Sequence, residues 1–308
     1  MFFLFPLASF LFHTHDFSRK SMTILKEKEE EIVWLVEQHN SRELFGRIGR
    51  QGDYLLADFP GYGRLKAKQD GTAYSWTPAS NAPSWLLEKF FRSHLEALLR
   101  HLNGKMTLHG GAVSIHGQAI ALIGASGHGK STLTAVLCQD EDVSLLADDT
   151  VAIEWQNGHP YILPTQTVTW LRDDAVEYLS LPSHSAYAPG YKIPLFPPRQ
   201  TSELTHLRAL IELQWAPGGT DPLLTLTKGR QHFLGIATHL FRFALHEPVH
   251  IRNEFQQIEL LANQVPFYIL SRPLCFSTLR ESIYLLKKLV NPFQTKTQTN
   301  KNLSFKKF

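Results

Sequence analysis

The stretch "ALIGASGHGKSTL", residues 121–133, constrains this chain more than any other. It holds Gly124, Gly127, Gly129, Lys130 and Ser131 in the order G-x-x-x-x-G-K-S. A phosphate chain carries several negative charges and little apolar surface, so binding it takes many donors in a small space. Glycines let backbone N–H groups turn inward without side-chain clash. A helix that starts there aims its positive end at the same anion. The apolar run Ala119–Ile123 before the loop and "KSTLTAVLCQD" after it predict strand, loop and helix. In that context Gly124, Ala125, Ser126, Gly127, His128, Gly129, Lys130, Ser131 and Thr132 form a cradle for a nucleoside triphosphate. Lys130 is expected to reach the β and γ phosphates and Ser131 to ligate Mg²⁺, so ATP and Mg²⁺ are the expected cofactors. His128 fills a free position of the motif and reads as a bystander at the loop mouth.

A loop that holds ATP does not say what receives the phosphate. In "SLLADDTVAIEW" the pair Asp148-Asp149 ends the very next predicted strand, 18 residues after Lys130. Strand, loop, helix, strand and acid make a short route back to the phosphates. Adjacent residues at a strand end point opposite ways. One aspartate can therefore hold Mg²⁺ while the other faces an incoming hydroxyl as general base. The competing reading is a surface turn.

The rest of the chain divides into four parts. Residues 1–22, with "MFFLFPLASFLF", are apolar for too short a run to span a bilayer and lack a positive lead. They read as an N-terminal extension, disordered or upstream of a start at Met22 rather than Met1, with a signal peptide as the alternative. Residues 23–104 form a small α+β region: "ILKEKEEEIVWLVEQHN" (24–40) is helix or charged lead-in, and 43–76 carry hairpin signals such as Asp70-Gly71. Leu87, Phe91, Leu95, Leu98 and Leu102 then predict a helix, from Asn81 and Pro83 to Gly104. Residues 105–290 read as the α/β nucleotide domain. Hairpins are expected at His116-Gly117 and Asn157-Gly158, a loop over 180–202, and helices over 229–245, 253–264 and 276–290. Residues 291–308 are a polar tail expected to be disordered.

The formal charge of +3 falls to −1 once the four lysines of 291–308 are set aside, so the body is no nucleic-acid binder. Two cysteines in 308 residues cannot build a disulfide framework and fit a reducing, cytoplasmic setting. No membrane span is expected.

The residues "LHGGAV", "IALIGASGHGKSTL" and "LLADDTVAI" together resemble the catalytic domain of bacterial HPr kinase/phosphorylase, whose core is shared with ATP-type phosphoenolpyruvate carboxykinases. His109, the loop and Asp148-Asp149 match in order and spacing. The chain is similar, over roughly residues 43–290, to HPr-kinase-like proteins of peptide-modification clusters. These include kinases of the C-terminal serine of lasso-peptide precursors. A lysine segment like "GYKIPL" and an end like "VPFYILSRPLCFSTLRESIYLL" also fit. The resemblance implies an α/β core with a small β-rich N-terminal part. It implies an ATP- and Mg²⁺-dependent serine kinase, with a peptide or small protein as acceptor and room for a homo-oligomer. Asp148 is then expected to be the base and Asp149 the Mg²⁺ contact, with the reverse left open. His109 is expected near the phosphates, and Lys192 to neutralise the transferring group. Arg172, Arg199 and Arg272 are further candidates for an anion, and Trp170 and Trp215 read as core. Longer acceptor loops and a large regulatory domain of true HPr kinases are not found, so phosphorylase activity and HPr as acceptor are not carried over. A small-molecule kinase, a non-catalytic ATP-binding partner and a plain ATPase remain the rivals.

Overall fold

The structure is a computed structural model, describing residues 31–40, 43–180, 192–216, 221–243, 245, 248–273 and 275–290. The apolar start, the lysine tail and residues 181–191 of the expected 180–202 loop lie outside the described residues.

Five strands open the described chain: β1 (Val33–Asn40), β2 (Glu43–Gln51), β3 (Tyr54–Phe59), β4 (Gly63–Lys68) and β5 (Tyr74–Pro78). They form an antiparallel meander in chain order. Residues 33–40 are thus strand, where helix or lead-in was expected. Val33, Trp34 and Val36 suit a pleated surface, and the free edge of β2 supplies the partner. Arg47 on β2 then lies 3.9 Å over the Trp34 ring.

The expected helix is present but interrupted. Helix α1 (Ser84–Phe90) passes through a π-helical turn, Phe91–Leu95, into α2 (Glu96–Leu102). Gly104, at φ +67°, ends it in a conformation that costs glycine nothing. Leu95, Leu98 and Phe90 pack on Leu55, Ala57 and Leu65 of the meander. His94, on the π turn, stacks on Phe90 at 4.8 Å and has Nδ1 2.9 Å from Ser93 Oγ. Burial pushes its pKa down to about 4. Below the ordinary histidine value the unfolded chain takes up a proton that the folded one refuses. His94 alone is therefore expected to lower stability by about 3 kcal/mol as pH drops from about 6.5 to about 4. Urea melts across that window should show the slope, and His94→Phe should flatten it. An unchanged slope would remove His94 as its source.

Next come β6 (Thr107–Ile115), β7 (Gln118–Ile123), α3 (Lys130–Leu137), β8 (Val143–Ala147), β9 (Thr150–Gln156) and β10 (His159–Leu163). Both predicted hairpin turns form, with His116-Gly117 at φ +49° and +75° and Asn157-Gly158 at +51° and +78°. Two successive positive φ values suit the right-handed twist of the flanking strands. After them follow β11 (Thr169–Leu171), α4 (Asp173–Tyr178), β12 (Ile193–Leu195), β13 (Thr205–Trp215), β14 (Leu223–Leu226), α5 (Arg230–Thr238), α6 (Pro248–Gln264), β15 (Phe267–Arg272) and α7 (Leu279–Val290).

The large sheet runs β10-β9-β6-β7-β13-β15-β14, with β8 also on β6. Strand β10 pairs with both β9 and β13, so one end of the sheet closes on itself. Strands β7, β13 and β15 are parallel. Helices α3 and α7 cover one face through Leu133, Leu137, Leu279 and Leu286. Helices α5 and α6 cover the other through Ile236, Ile258 and Leu261. The fold is α/β. Helix α5 stops at Thr238, although a helix was expected to reach residue 245. His239 O accepts from His109 N and Phe241 N donates to Thr107 O, which draws the chain out along the edge of β6. Among the described residues no helix is long and apolar enough to cross a membrane.

Candidate active site

Parallel strands leave a crevice beyond their carboxyl ends, where connections diverge. Here β7 runs into the glycine loop, while β13 and β15 end at Trp215 and Arg272, which are register partners. A cleft of about 530 Å³ opens there, within the ordinary size range for a small-molecule site. Of the nine loop residues expected to bind nucleotide, Ser126 to Thr132 line it. Gly124, at φ +143°, and Ala125 do not line it; their carbonyls accept from Lys130 Nζ at 2.8 and 3.1 Å. Burial pulls the Lys130 pKa down. His128 is held rather than idle: its Nδ1–H donates to Leu213 O at 2.7 Å, and its ring lies 5.3 Å from that of Trp215.

The Asp pair comes back to the loop as its spacing implied. Gly111 on β6 lets α3 approach, since a Cβ there would stand 2.6 Å from Thr134 Oγ1. One turn earlier on α3, the Ser131 hydroxyl donates to Asp148 Oδ1 at 2.9 Å. Asp148 Oδ2 accepts from Thr169 Oγ1 and Trp170 N, both at 2.8 Å. Asp148 is only 1% exposed, and burial, reinforced by the neighbouring Asp149 charge, pushes its pKa up to about 6. Asp149 behaves differently. Its φ is +67°, a region that a residue with a Cβ enters only at a cost. The turn delivers its side chain to the cleft, 3.8 Å from Lys192 Nζ and 4.0 Å from Lys89 Nζ. The pair therefore does point opposite ways, with Asp148 inward to Ser131 and Asp149 outward between two lysines.

His109 lines the cleft, and burial, then the Lys130 charge, holds its pKa down. Among the arginines, Arg172 and Arg272 line the cleft, while Arg199 is exposed on the chain beside β8 and stands apart from it. Trp170 and Trp215 are not simple core residues, since both form cleft wall. Lys89 is the residue the sequence reading missed. It sits on α1, 4.3 Å over the Trp170 ring, and burial lowers its pKa. Helical periodicity could not have found it, because the π turn changes which face follows it.

The donor set fits a nucleotide with Mg²⁺. A hydroxyl beside a buried carboxylate is hard-oxygen chemistry, and Mg²⁺ bound with phosphates needs only one or two protein carboxylates. Among the described residues no group of three or more His, Cys, Asp or Glu could hold a metal by itself.

No protein-family model matches the chain, and no curated protein matches it. Among solved structures, the Hpr(Ser) kinase/phosphatase from Coxiella burnetii is similar over 60% of this chain and 93% of its own. The identity is 12% and the TM-score 0.30.

Proposed function

We propose that the chain is an ATP- and Mg²⁺-dependent kinase with an HPr-kinase-like core, which transfers the γ-phosphoryl group to a serine hydroxyl of a peptide or small protein. The acceptor that the sequence resemblance suggests is the C-terminal serine of a lasso-peptide precursor. One observation carries the transfer chemistry: beside a phosphate-type loop, one aspartate is buried against the loop serine and its neighbour is turned into the cleft between two lysines.

On this reading the roles of the two aspartates are the reverse of the first assignment. Ser131 and Asp148 would hold Mg²⁺, which when bound would neutralise phosphate charge. Asp149 is the group placed to take a hydroxyl proton. As the acceptor oxygen bonds to the γ phosphorus, the bond from that phosphorus to the β,γ-bridging oxygen breaks, the proton passes to Asp149, and ADP leaves. Lys130 and Lys192 would meet the charge on the phosphoryl oxygens, and His109 would bound the site from β6.

Asp148→Asn tests the metal role. Trp170 N–H can only donate, so the Asn oxygen must face it, which puts the amide nitrogen against Ser131. The variant should fold, yet bind Mg²⁺-nucleotide about 10- to 100-fold more weakly while binding Mg²⁺-free nucleotide as before. Equal loss with and without Mg²⁺ would sink the metal role. The function itself is tested by intact mass. Serine-terminated peptides incubated with the protein, ATP and Mg²⁺ should gain ~80 Da, one phosphoryl group. Phosphate release with no gain on any peptide would favour an ATPase instead.

A further inference from the structure

We infer that Arg272 clamps the non-transferring phosphates of the nucleotide, so that the triphosphate lies across the glycine loop with its transferable end at Asp149 and its nucleoside end toward Trp215 and Phe276. This deepens the kinase reading and rests on it.

Arg272 is 4% exposed. Among the described residues its guanidinium makes no hydrogen bond and no ion pair, and Nε is buried without a partner. Among the described residues the Trp215 ring lies 5.2 Å below it, and Cys275 is an electrostatic neighbour. A buried cation without a counter-ion is costly, and proteins rarely keep one that no ligand completes. This one borders the cleft at the loop itself: a Cβ on Gly129 would collide with Arg272 Nη2, so Gly129 leaves room for the guanidinium against the backbone that receives phosphate. Its planar fork suits phosphate oxygens.

Position in the sheet says which phosphates. Strand β7, which feeds the loop, lies in the middle. Asp149 follows β8, two strands away through β6, and Arg272 ends β15, two strands away on the other side through β13. At about 4.8 Å per strand, each stands roughly 10 Å from the loop strand, on opposite flanks. The base that accepts the proton and the arginine thus address opposite ends of one phosphate chain. Beyond Arg272, Trp215, His128 and Phe276 give the cleft an aromatic wall suited to a nucleobase.

The test is calorimetric titration of the full chain with Mg²⁺-ADP and with Mg²⁺-ATP, wild type beside Arg272→Met and Arg272→Gln. A clamp on the phosphates common to both nucleotides predicts that both weaken by the same factor, about 10- to 100-fold. Removing an uncompensated buried charge should also leave the nucleotide-free Tm equal or higher. Unchanged ADP affinity, or a loss for ATP alone, would overturn the assignment. So would a lower nucleotide-free Tm in both variants, which would mark a structural role. Failure of the wild type to bind either nucleotide would instead remove the kinase reading, and this inference with it.

Discussion

Replacing Asp149 with Asn is expected to lower kcat by about 10²- to 10⁴-fold while leaving the Kd for Mg²⁺-ATP close to that of the wild type. The substitution removes the basic carboxylate and little else. Asn tolerates left-handed backbone better than other side chains, so a φ of +67° is no obstacle, whereas Ala would move the turn and blur the result. Lys89 and Lys192 lose a charge partner, but both pairs are long, at 4.0 and 3.8 Å, and contribute little to stability. Single-turnover transfer to an unphosphorylated serine peptide that the wild type accepts would read the effect. Turnover within tenfold of wild type would return the base to Asp148, as first expected from the sequence.

Lys130→Ala should act on a different quantity. The ammonium is buried, bonded to Gly124 and Ala125 carbonyls, and stands where a phosphate chain would meet it. Charge-assisted hydrogen bonds of this kind are worth about 1.5–3 kcal/mol, so ATP affinity should fall about 10- to 100-fold. Two loop carbonyls also lose a donor, so the loop should become easier to cleave by protease. Unchanged affinity in a titration would refute the nucleotide site altogether. With Asp149→Asn, this separates binding from chemistry: one variant should bind without turning over, and the other should fail to bind.

The contrast between these residues shows what could be read without the fold. The loop, the start of α3, and both two-residue hairpins were legible because each depends on local backbone chemistry. Gly127 and Gly129 adopt positive φ, and His116-Gly117 and Asn157-Gly158 make the turns their composition demands. The nearness of the Asp pair to Ser131 was legible from a short strand–loop–helix–strand path. Which aspartate faces the cleft was not, because that depends on Thr169 and Trp170 of β11 capturing Asp148. The strand at residues 33–40 was missed for a similar reason: its partner edge is supplied by β2, while its sequence alone is also compatible with a helix.

What the sequence by itself determined is the glycine-rich loop and its helix, the acidic pair that ends the next strand, and the alternation of strands and helices in an α/β fold. All of these follow from contacts between residues close along the chain. Only the tertiary structure decided the rest of the cleft. Lys89 from α1, Trp170 from β11, Lys192 beside β12, and Trp215 and Arg272 from the ends of two parallel strands meet around one site. Their convergence depends on strand order and on the π turn after α1, and side chains that far apart in sequence leave no periodicity or spacing to read.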